Sequence, residues 1–340
     1  MSARKPRLSD VAAAAGTSTK TASRVINGDP RVADDTRARV ESAIAALGYR
    51  VDVAARSLRR GIDDTIAVIV PTIGDPFMAA IIEEIERIAI QRGVRLLVAS
   101  NARDAEIERE VVESLLARRV AGLIIVPNLA DYSFLATIAT PVVFLDRHPD
   151  GLPAPAVLVD DAAAAHLATA HLIRHGHQRV AVLVDDLRIQ TSRLRLAGYR
   201  QALAAAHLPF DPDLVAADCV TAVEAEASTD RLLALDPAPT AVFSSRSEIT
   251  LGVVRSLSRA GRGDIALVSF GDFRNADLLD PPVSAIDHDP RDLASAATER
   301  LFRVMDGEPA IEADTIINLR LIPRGSGELT PVPLPRGAVA

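Results

Sequence analysis

A single cysteine, two lysines and no apolar run near the ~18 residues of a membrane span mark this chain of 340 residues by what it has little of. Cys219 standing alone excludes a disulfide framework and a thiolate metal cluster. Lys5 and Lys20 are the only lysines, so the basic residues are nearly all arginine, a bias read as coding preference and given no weight as a nucleic-acid signal. The opening MSARKPRLSD lacks the apolar stretch of a signal peptide, so the expected location is the cytoplasm, with no membrane partner. At this length the chain has room for two or three domains, each with its own core.

What charge there is lies unevenly. Residues 1–60 carry 12 Lys+Arg against 6 Asp+Glu, while the remainder carries 26 against 39. Such asymmetry points to a polyanion at one end only. Within the basic end, LSDVAAAAGTSTKTASRVING (8–28) reads as two short helices. Ser9 is the expected N-cap of the first, which runs through Ala15 to a stop at Gly16; Ser18 caps the second, which Asn27-Gly28 ends. On a helical wheel Ala22, Val25 and Ile26 share one side, and Lys20, Ser23 and Arg24 the other. A third helix, DDTRARVESAIAALGY, starts at Asp34 or Asp35 and places Val40, Ile44 and Leu47 at helical spacing. Such a helix-turn-helix puts its second helix in the major groove. Thr19, Lys20 and Arg24 are the candidates for base contact, and Ser9, Ser18, Thr21, Ser23 and Asn27 for phosphate contact. The wheel by itself favours a polar hairpin with a solvated basic face.

From Thr65 the pattern changes to apolar runs alternating with amphipathic helices. IAVIV (66–70), VRLLVA (94–99), AGLIIV (121–126), VVFL (142–145) and AVLV (156–159) read as buried parallel strands. RVAVLVDD (179–186) echoes TIAVIVPT (65–72) and opens a second series through TAVFSS (240–245) and IALVSF (265–270). Two similar doubly wound α/β subdomains follow, with ligand space in the cleft between them. Signals for catalysis fail. His166, His171, His175 and His177 have no carboxylate or cysteine to complete a metal set, and LIRHGH suits a helix C-terminus. GRGDIA (261–266) precedes a strand and is a loop. Asp160-Asp161 and Asp185-Asp186 are adjacent in sequence and point to opposite faces, and no nucleophile elbow is present. No enzyme activity, cofactor or metal is expected.

The three N-terminal stretches, with VADDTRARVESAIAALGYR and AARSLRRG in the same order and spacing, resemble the headpiece of the lactose repressor/galactose repressor (LacI/GalR) family of bacterial transcription regulators. GDPF (74–77), FLDR (144–147), HLIRHGHQRVAVL (171–183) and SRLRLAGYRQAL (192–203) extend the resemblance to about Gly325. It implies a headpiece at 1–50, a hinge helix and linker at 51–63, a periplasmic-binding-protein-like core of two α/β subdomains at 64–325, and a disordered tail at 326–340. It implies a homodimer on a pseudo-palindromic operator, with Ala55, Arg56 and Leu58 at the minor groove and Leu58 as a wedge. It also implies an effector that closes the cleft and alters DNA affinity, repression being the commoner arrangement. The family pairs its N-terminal subdomains through helices matching 77–91 and 106–118; here Ile81, Ile85, Ile88, Val111 and Leu115 serve that pairing or pack on their own sheet. The candidate ligand contacts are Phe77, Asp146, Arg147, Arg195, Arg246 and Asp272. Val51 and Asp52 depart from the family's proline and asparagine, Arg246-Ser247 from its Asn-Asp, and Gly271-Asp272 from its pair of acids. Guanidinium groups gained and carboxylates lost favour a sugar acid or other anion over a neutral sugar, unless Arg246 simply pairs with Glu248 or Asp272. A small-molecule-binding protein or enzyme on the same α/β core is the alternative function.

Overall fold

Alternation along one strand sets the plan of the larger part of the chain. In a computed structural model that describes residues 6–26, 29, 31–48, 65–129, 131–310 and 312–332, β1 (Thr65–Val70) is buried at all six positions. Ile66, Val68 and Val70 face one layer, and Ala67 and Ile69 the other. Helices cover both faces of a parallel sheet, so a strand within it reads as continuously apolar.

Chain contacts divide the molecule into two units, Met1–Asp63 and Asp64–Ala340. In the smaller, α1 (Leu8–Ala14), α2 (Thr19–Ile26) and α3 (Asp34–Leu47) enclose a core of Val11, Ala12, Ala15, Ala22, Val25, Val40 and Ala43. Small side chains allow so short a set of helices to close. Gly16, at φ 60°, makes the turn after α1 in a conformation that a Cβ would strain. Ser9 is not the N-cap: Arg7 is, its backbone N–H donating to Asp10 at 2.7 Å, because the Asp10 carboxylate reaches back across the first turn. Ser18 does cap α2, accepting from the Thr21 N–H at 3.1 Å.

The larger unit has two six-stranded sheets. After β1 come α4 (Pro76–Gln91), β2 (Arg95–Ser100), α5 (Ala105–Ala117), β3 (Gly122–Ile125), β4 (Val142–Leu145) and β5 (Ala156–Val159). The second subdomain holds α6 (Asp161–Arg174), β6 (Val180–Leu183), α7 (Gln190–Ala205), β7 (Val215–Ala216), α8 (Ala222–Leu233), β8 (Ala241–Ser244), α9 (Ser247–Ala260), β9 (Ala266–Phe270) and β10 (Ser284–Asp287). The chain then returns to the first subdomain for α10 (Pro290–Met305) and β11 (Thr315–Ile317), and ends in the second with β12 (Arg320–Ile322). The strand orders are β11-β5-β4-β3-β1-β2 and β12-β10-β9-β8-β6-β7, all neighbours parallel except β10 and β12. Three crossovers, at about 160, 288 and 318, therefore join the subdomains.

Helix α10 lies on α4 and on β3, β4 and β5, with Leu301 so close to Gly122 that a Cβ there would approach its Cδ1 to 2.8 Å. Two more glycines fix helix pairs: Gly198 brings α7 against α6, and Gly252 brings α9 against α8. No helix among the described residues is long and apolar enough to cross a membrane.

Two expectations need correction, and one open alternative is decided. β2 is an edge strand rather than a buried one, with Leu97 and Val98 each 39% exposed, because only β1 flanks it. Of the two readings of the rows on α4 and α5, packing on their own sheet is the one met: Ile81 and Ile85 are fully buried and Leu115 nearly so, while Ile88 and Val111 lie against the same cores. The large apolar residues left exposed among the described residues of that subdomain are Ile73, Ile90, Leu97, Val98, Ile107, Ile138 and Ile316. Finally, order does not end at 325. Ser326 Oγ donates to the Leu267 carbonyl at 2.6 Å and accepts from the Ser284 N–H at 2.9 Å, and the Leu329 carbonyl meets His177 Nε2 at 2.9 Å. Donors and acceptors along β9, β10 and α6 tie residues 326–332 down.

Candidate functional site

Between the subdomains, beside the second crossover, lies a cavity of about 260 Å³. Its walls come from strand ends and helix starts, where parallel α/β sheets bind ligands. From the first subdomain, the turn into α4 supplies Asp75 and Phe77; the loop after β2 supplies Arg103; the end of β4 supplies Asp146 and Arg147. From the second come Asp185 after β6, Arg195 on α7, Arg246 before α9, and Phe270 and Asp272 around the end of β9. His288 stands on the second crossover. All six ligand candidates named from sequence line this cavity.

Their chemistry differs from the sequence expectation. Five arginines (103, 147, 195, 246, 274) face five aspartates (75, 146, 185, 272, 287), so the walls are balanced rather than cationic. Four of the five guanidinium groups are already held. Arg147 donates to Asp146 at 2.9 Å. Arg195 donates to Asp161 at 2.7 Å and to the Ser245 carbonyl at 2.8 Å, with its guanidinium carbon 3.7 Å from the centre of the Phe270 ring. Arg246 pairs with neither Glu248 nor Asp272. It reaches across the cleft to Asp75 at 3.0 Å and also bonds Asp185 on its own side. Arg103 reaches the other way, to Asp185 at 3.0 Å. Asp272 is held bidentately by Arg324 at 2.7 and 2.6 Å. The case for an anionic effector therefore loses its basis: an anion on Arg246 would have to displace two carboxylates and leave them uncompensated.

Burial raises the Asp161 carboxyl to about 6, against the opposing pull of Arg195. Asp272 moves the other way: burial would raise it, but the Arg324 guanidinium and the Phe273 N–H outweigh that and leave it below the usual range. Burial pushes the His288 imidazole down to about 4, with Arg195 adding to the effect. Asp146 adopts φ 71°, an uncommon conformation that an aspartate tolerates and that often accompanies binding sites. Gly271, where the family has an acid, sits at φ 81° beside the cavity.

Sequence reasoning missed Asp75, Arg103, Asp185, His288 and Arg324. A helix-capping aspartate before Pro76 was the one visible sign of Asp75, whose Oδ1 accepts from the Phe77 N–H at 2.9 Å. The histidines of HLIRHGH (171–177) serve the fold: His171 bonds Glu328, and His177 joins Thr240 at 3.0 Å to Leu329.

In the smaller unit, Thr19 and Lys20 are exposed on the first turn of α2. Arg24, half exposed, has its Nε 3.9 Å from Asp29, which is also bonded by Arg31. Ser18 and Thr21 share a hydroxyl contact of 2.9 Å, and Ser9 is exposed on α1. Asn27, Ala55, Arg56 and Leu58, with the whole 51–63 hinge, lie outside the described residues.

Residues 7–52 match the family described as bacterial regulatory proteins, lacI family, and residues 169–327 match the periplasmic binding protein-like domain. The chain is 29% identical over 326 residues to the HTH-type transcriptional regulator GalR of Escherichia coli K12, covering 94% of this chain and 95% of that one. It is 28% identical over 332 residues to the transcriptional repressor CytR of the same strain, covering 95% and 97%. Among solved structures, a lac repressor dimer bound to operator and the anti-inducer ONPF superposes with a TM-score of 0.84 at 28% identity, covering 95% of this chain and 99% of that one. A complex of the transcriptional regulator CelR with cellobiose gives a TM-score of 0.71 at 27% identity, covering 95% and 100%.

Proposed function

Since this chain belongs to the lactose repressor/galactose repressor family of bacterial transcription regulators, we propose that it represses transcription as a homodimer on a pseudo-palindromic operator and that a small neutral metabolite in its cleft changes that binding. The observation that carries this reading is the union in one chain of a helix-turn-helix unit and a two-subdomain core whose cleft is lined from both subdomains and at the second crossover. A metabolite that prefers one relative angle of the subdomains shifts the population toward that angle. In this reading the chain works by binding and performs no chemical step.

Thr19, Lys20 and Arg24 read bases, and Ser9, Ser18, Thr21, Ser23 and Asn27 hold phosphates. The hinge residues Ala55, Arg56 and Leu58 widen the minor groove, Leu58 as the wedge. The half-sites lie about one helical turn apart, ~10 base pairs. The effector meets Phe77, Asp146, Arg147, Arg195, Arg246 and Asp272. Its neutrality is read from walls on which four of the five guanidinium groups already hold carboxylates. The exposed apolar residues Ile90 and Ile107, on the outer side of the helices the family uses, and Leu97 and Val98 on the edge strand β2 support pairing of first subdomains. Selection of bound duplexes from a random pool tests the reading. A twofold-symmetric motif recovered by the full chain, and altered in Lys20→Ala, is the expected result. Recovery of no motif removes the regulator function from this chain.

A further inference from the structure

His288 is a buried cleft residue whose hydrogen-bonding capacity is unspent. It is 5% exposed, yet neither ring nitrogen has a partner. Buried polar atoms rarely go unpaired, and those that do call for an explanation. The ring is clasped from both subdomains. Phe77 of α4 stands edge-on to it at 5.2 Å and 66°, and Phe270 at the end of β9 lies 5.6 Å away at 56°. Its neighbours in the chain are both engaged elsewhere: Asp287 bonds Arg320 at 3.2 Å, and Asp289 caps α10 through the Arg291 N–H at 2.9 Å. The imidazole is therefore fixed at the crossover, facing a cavity whose other polar walls are largely satisfied by one another.

We propose that His288 is the specificity-determining residue of the cleft, and that it recognises a neutral, hydroxyl-bearing effector by donating to it through one ring nitrogen and accepting through the other. The proposal rests on the reading that the cleft takes an effector. Desolvation keeps the ring neutral at ordinary pH, so it presents one donor and one acceptor. Hydroxyl groups supply both complements. A carboxylate or phosphate supplies acceptors only, and an ammonium donors only. Phe77 and Phe270 offer the apolar flanks against which the carbon face of such a molecule rests. Because residue 288 lies where the chain passes from β10 to α10, a ligand held there touches the connection about which the subdomains turn.

The test uses the full chain, with thermal stability and operator affinity as readouts. The probes are neutral monosaccharides, polyols and nucleosides, with sugar acids and sugar phosphates as a second arm. Wild type is compared with His288→Phe, which keeps ring shape without nitrogen, and His288→Gln, which restores a donor and an acceptor. The expected result is stabilisation by at least one neutral probe, an affinity loss of about tenfold in His288→Phe, and recovery in His288→Gln. A neutral probe that binds His288→Phe as tightly as wild type overturns the role of His288 while leaving an effector-responsive cleft. Binding confined to the charged arm also overturns it. If no probe stabilises wild type and none alters operator binding, the effector reading fails and this inference fails with it.

Discussion

Replacing Arg246 by glutamine removes a side chain that bonds a carboxylate on each side of the cleft, and its effect can be worked from the contacts. Arg246 holds Asp75 of the opposite subdomain at 3.0 Å and Asp185 of its own, while Arg103 returns across the cleft to Asp185 at 3.0 Å. The side chains of Asp75 and Asp185 are 14% and 5% exposed, so little water is at hand to replace the guanidinium. Removing one partner of a fully buried pair costs about 3–5 kcal/mol. Here each carboxylate keeps another donor, Asp75 the Phe77 N–H and Asp185 the Arg103 guanidinium. The expected cost therefore falls to about 2 kcal/mol. Part of it is a loss of cleft closure rather than of folding. Urea unfolding of the core in Arg246→Gln, Asp75→Asn and the double variant isolates the pair, and a coupling of about 1 kcal/mol or more is expected. Small-angle scattering should show a larger radius of gyration in Arg246→Gln. A coupling within about 0.3 kcal/mol of zero, together with unchanged scattering, would show that these charges are solvated and that the cleft does not depend on them.

In the smaller unit, Lys20→Ala or Arg24→Ala should each weaken operator binding by about 1–3 kcal/mol and relax preference at particular base pairs; uniform weakening across sequences would move that residue to a phosphate role. Asp161, with its folded pKa of about 6 above an unfolded 3.8, binds protons more readily in the native state between those values. Its contribution to stability is thus complete below about pH 4 and declines by up to about 3 kcal/mol as pH rises through 6. His288, lowered from 6.5 to about 4, contributes above 6.5 and loses that as pH falls toward 4, so the two largely offset each other in the native protein. Denaturation curves from pH 4 to 7 should accordingly gain a rise toward acid in His288→Gln and a fall toward acid in Asp161→Asn; parallel profiles for both would contradict the assignment. Gly252→Ala would place a Cβ 2.2 Å from the Ala222 carbonyl oxygen, so overpacking of about 1–3 kcal/mol or more should appear in thermal unfolding. A substitution without effect there would mean that α8 and α9 separate freely.

Strands were legible where apolar residues run together, as at 142–145 and 156–159, which the structure matches residue for residue. β10 was missed because Ser284-Ala285-Ile286-Asp287 carries polar residues at both ends although all four positions are buried. β7, β11 and β12 are two or three residues long, too short to show a period. In the cleft, local motifs located the arginines but not their partners. Asp75 lies 171 positions from Arg246, and Asp185 lies 82 from Arg103. Which charges meet is decided by the return of the chain through three crossovers, and residue spacing does not encode that. A count of guanidinium groups therefore suggested an anion site where the fold makes internal pairs. The same limit hid His288, whose single letter in the sequence says nothing of the two phenylalanine rings around it.

Helix α10 has a consequence for how the protein is made. The face of β3, β4 and β5 that it covers is complete in the nascent chain by residue 159, but the covering helix begins at residue 290. At about 5–20 residues per second, the ribosome takes roughly 7–26 s to synthesise what lies between. Throughout that time the groove beside Gly122, which Leu301 later fills, stands open as an oily surface on a tethered, half-built subdomain. All of the second subdomain except β12 and the segment at 326–332 is translated within the same interval. Most of it has the chance to settle before the earlier-made half receives its covering helix. A chaperone that shields newly made chains would thus meet this protein at β3–β5, and a ribosome stalled anywhere between 160 and 290 would display that surface for as long as it waited.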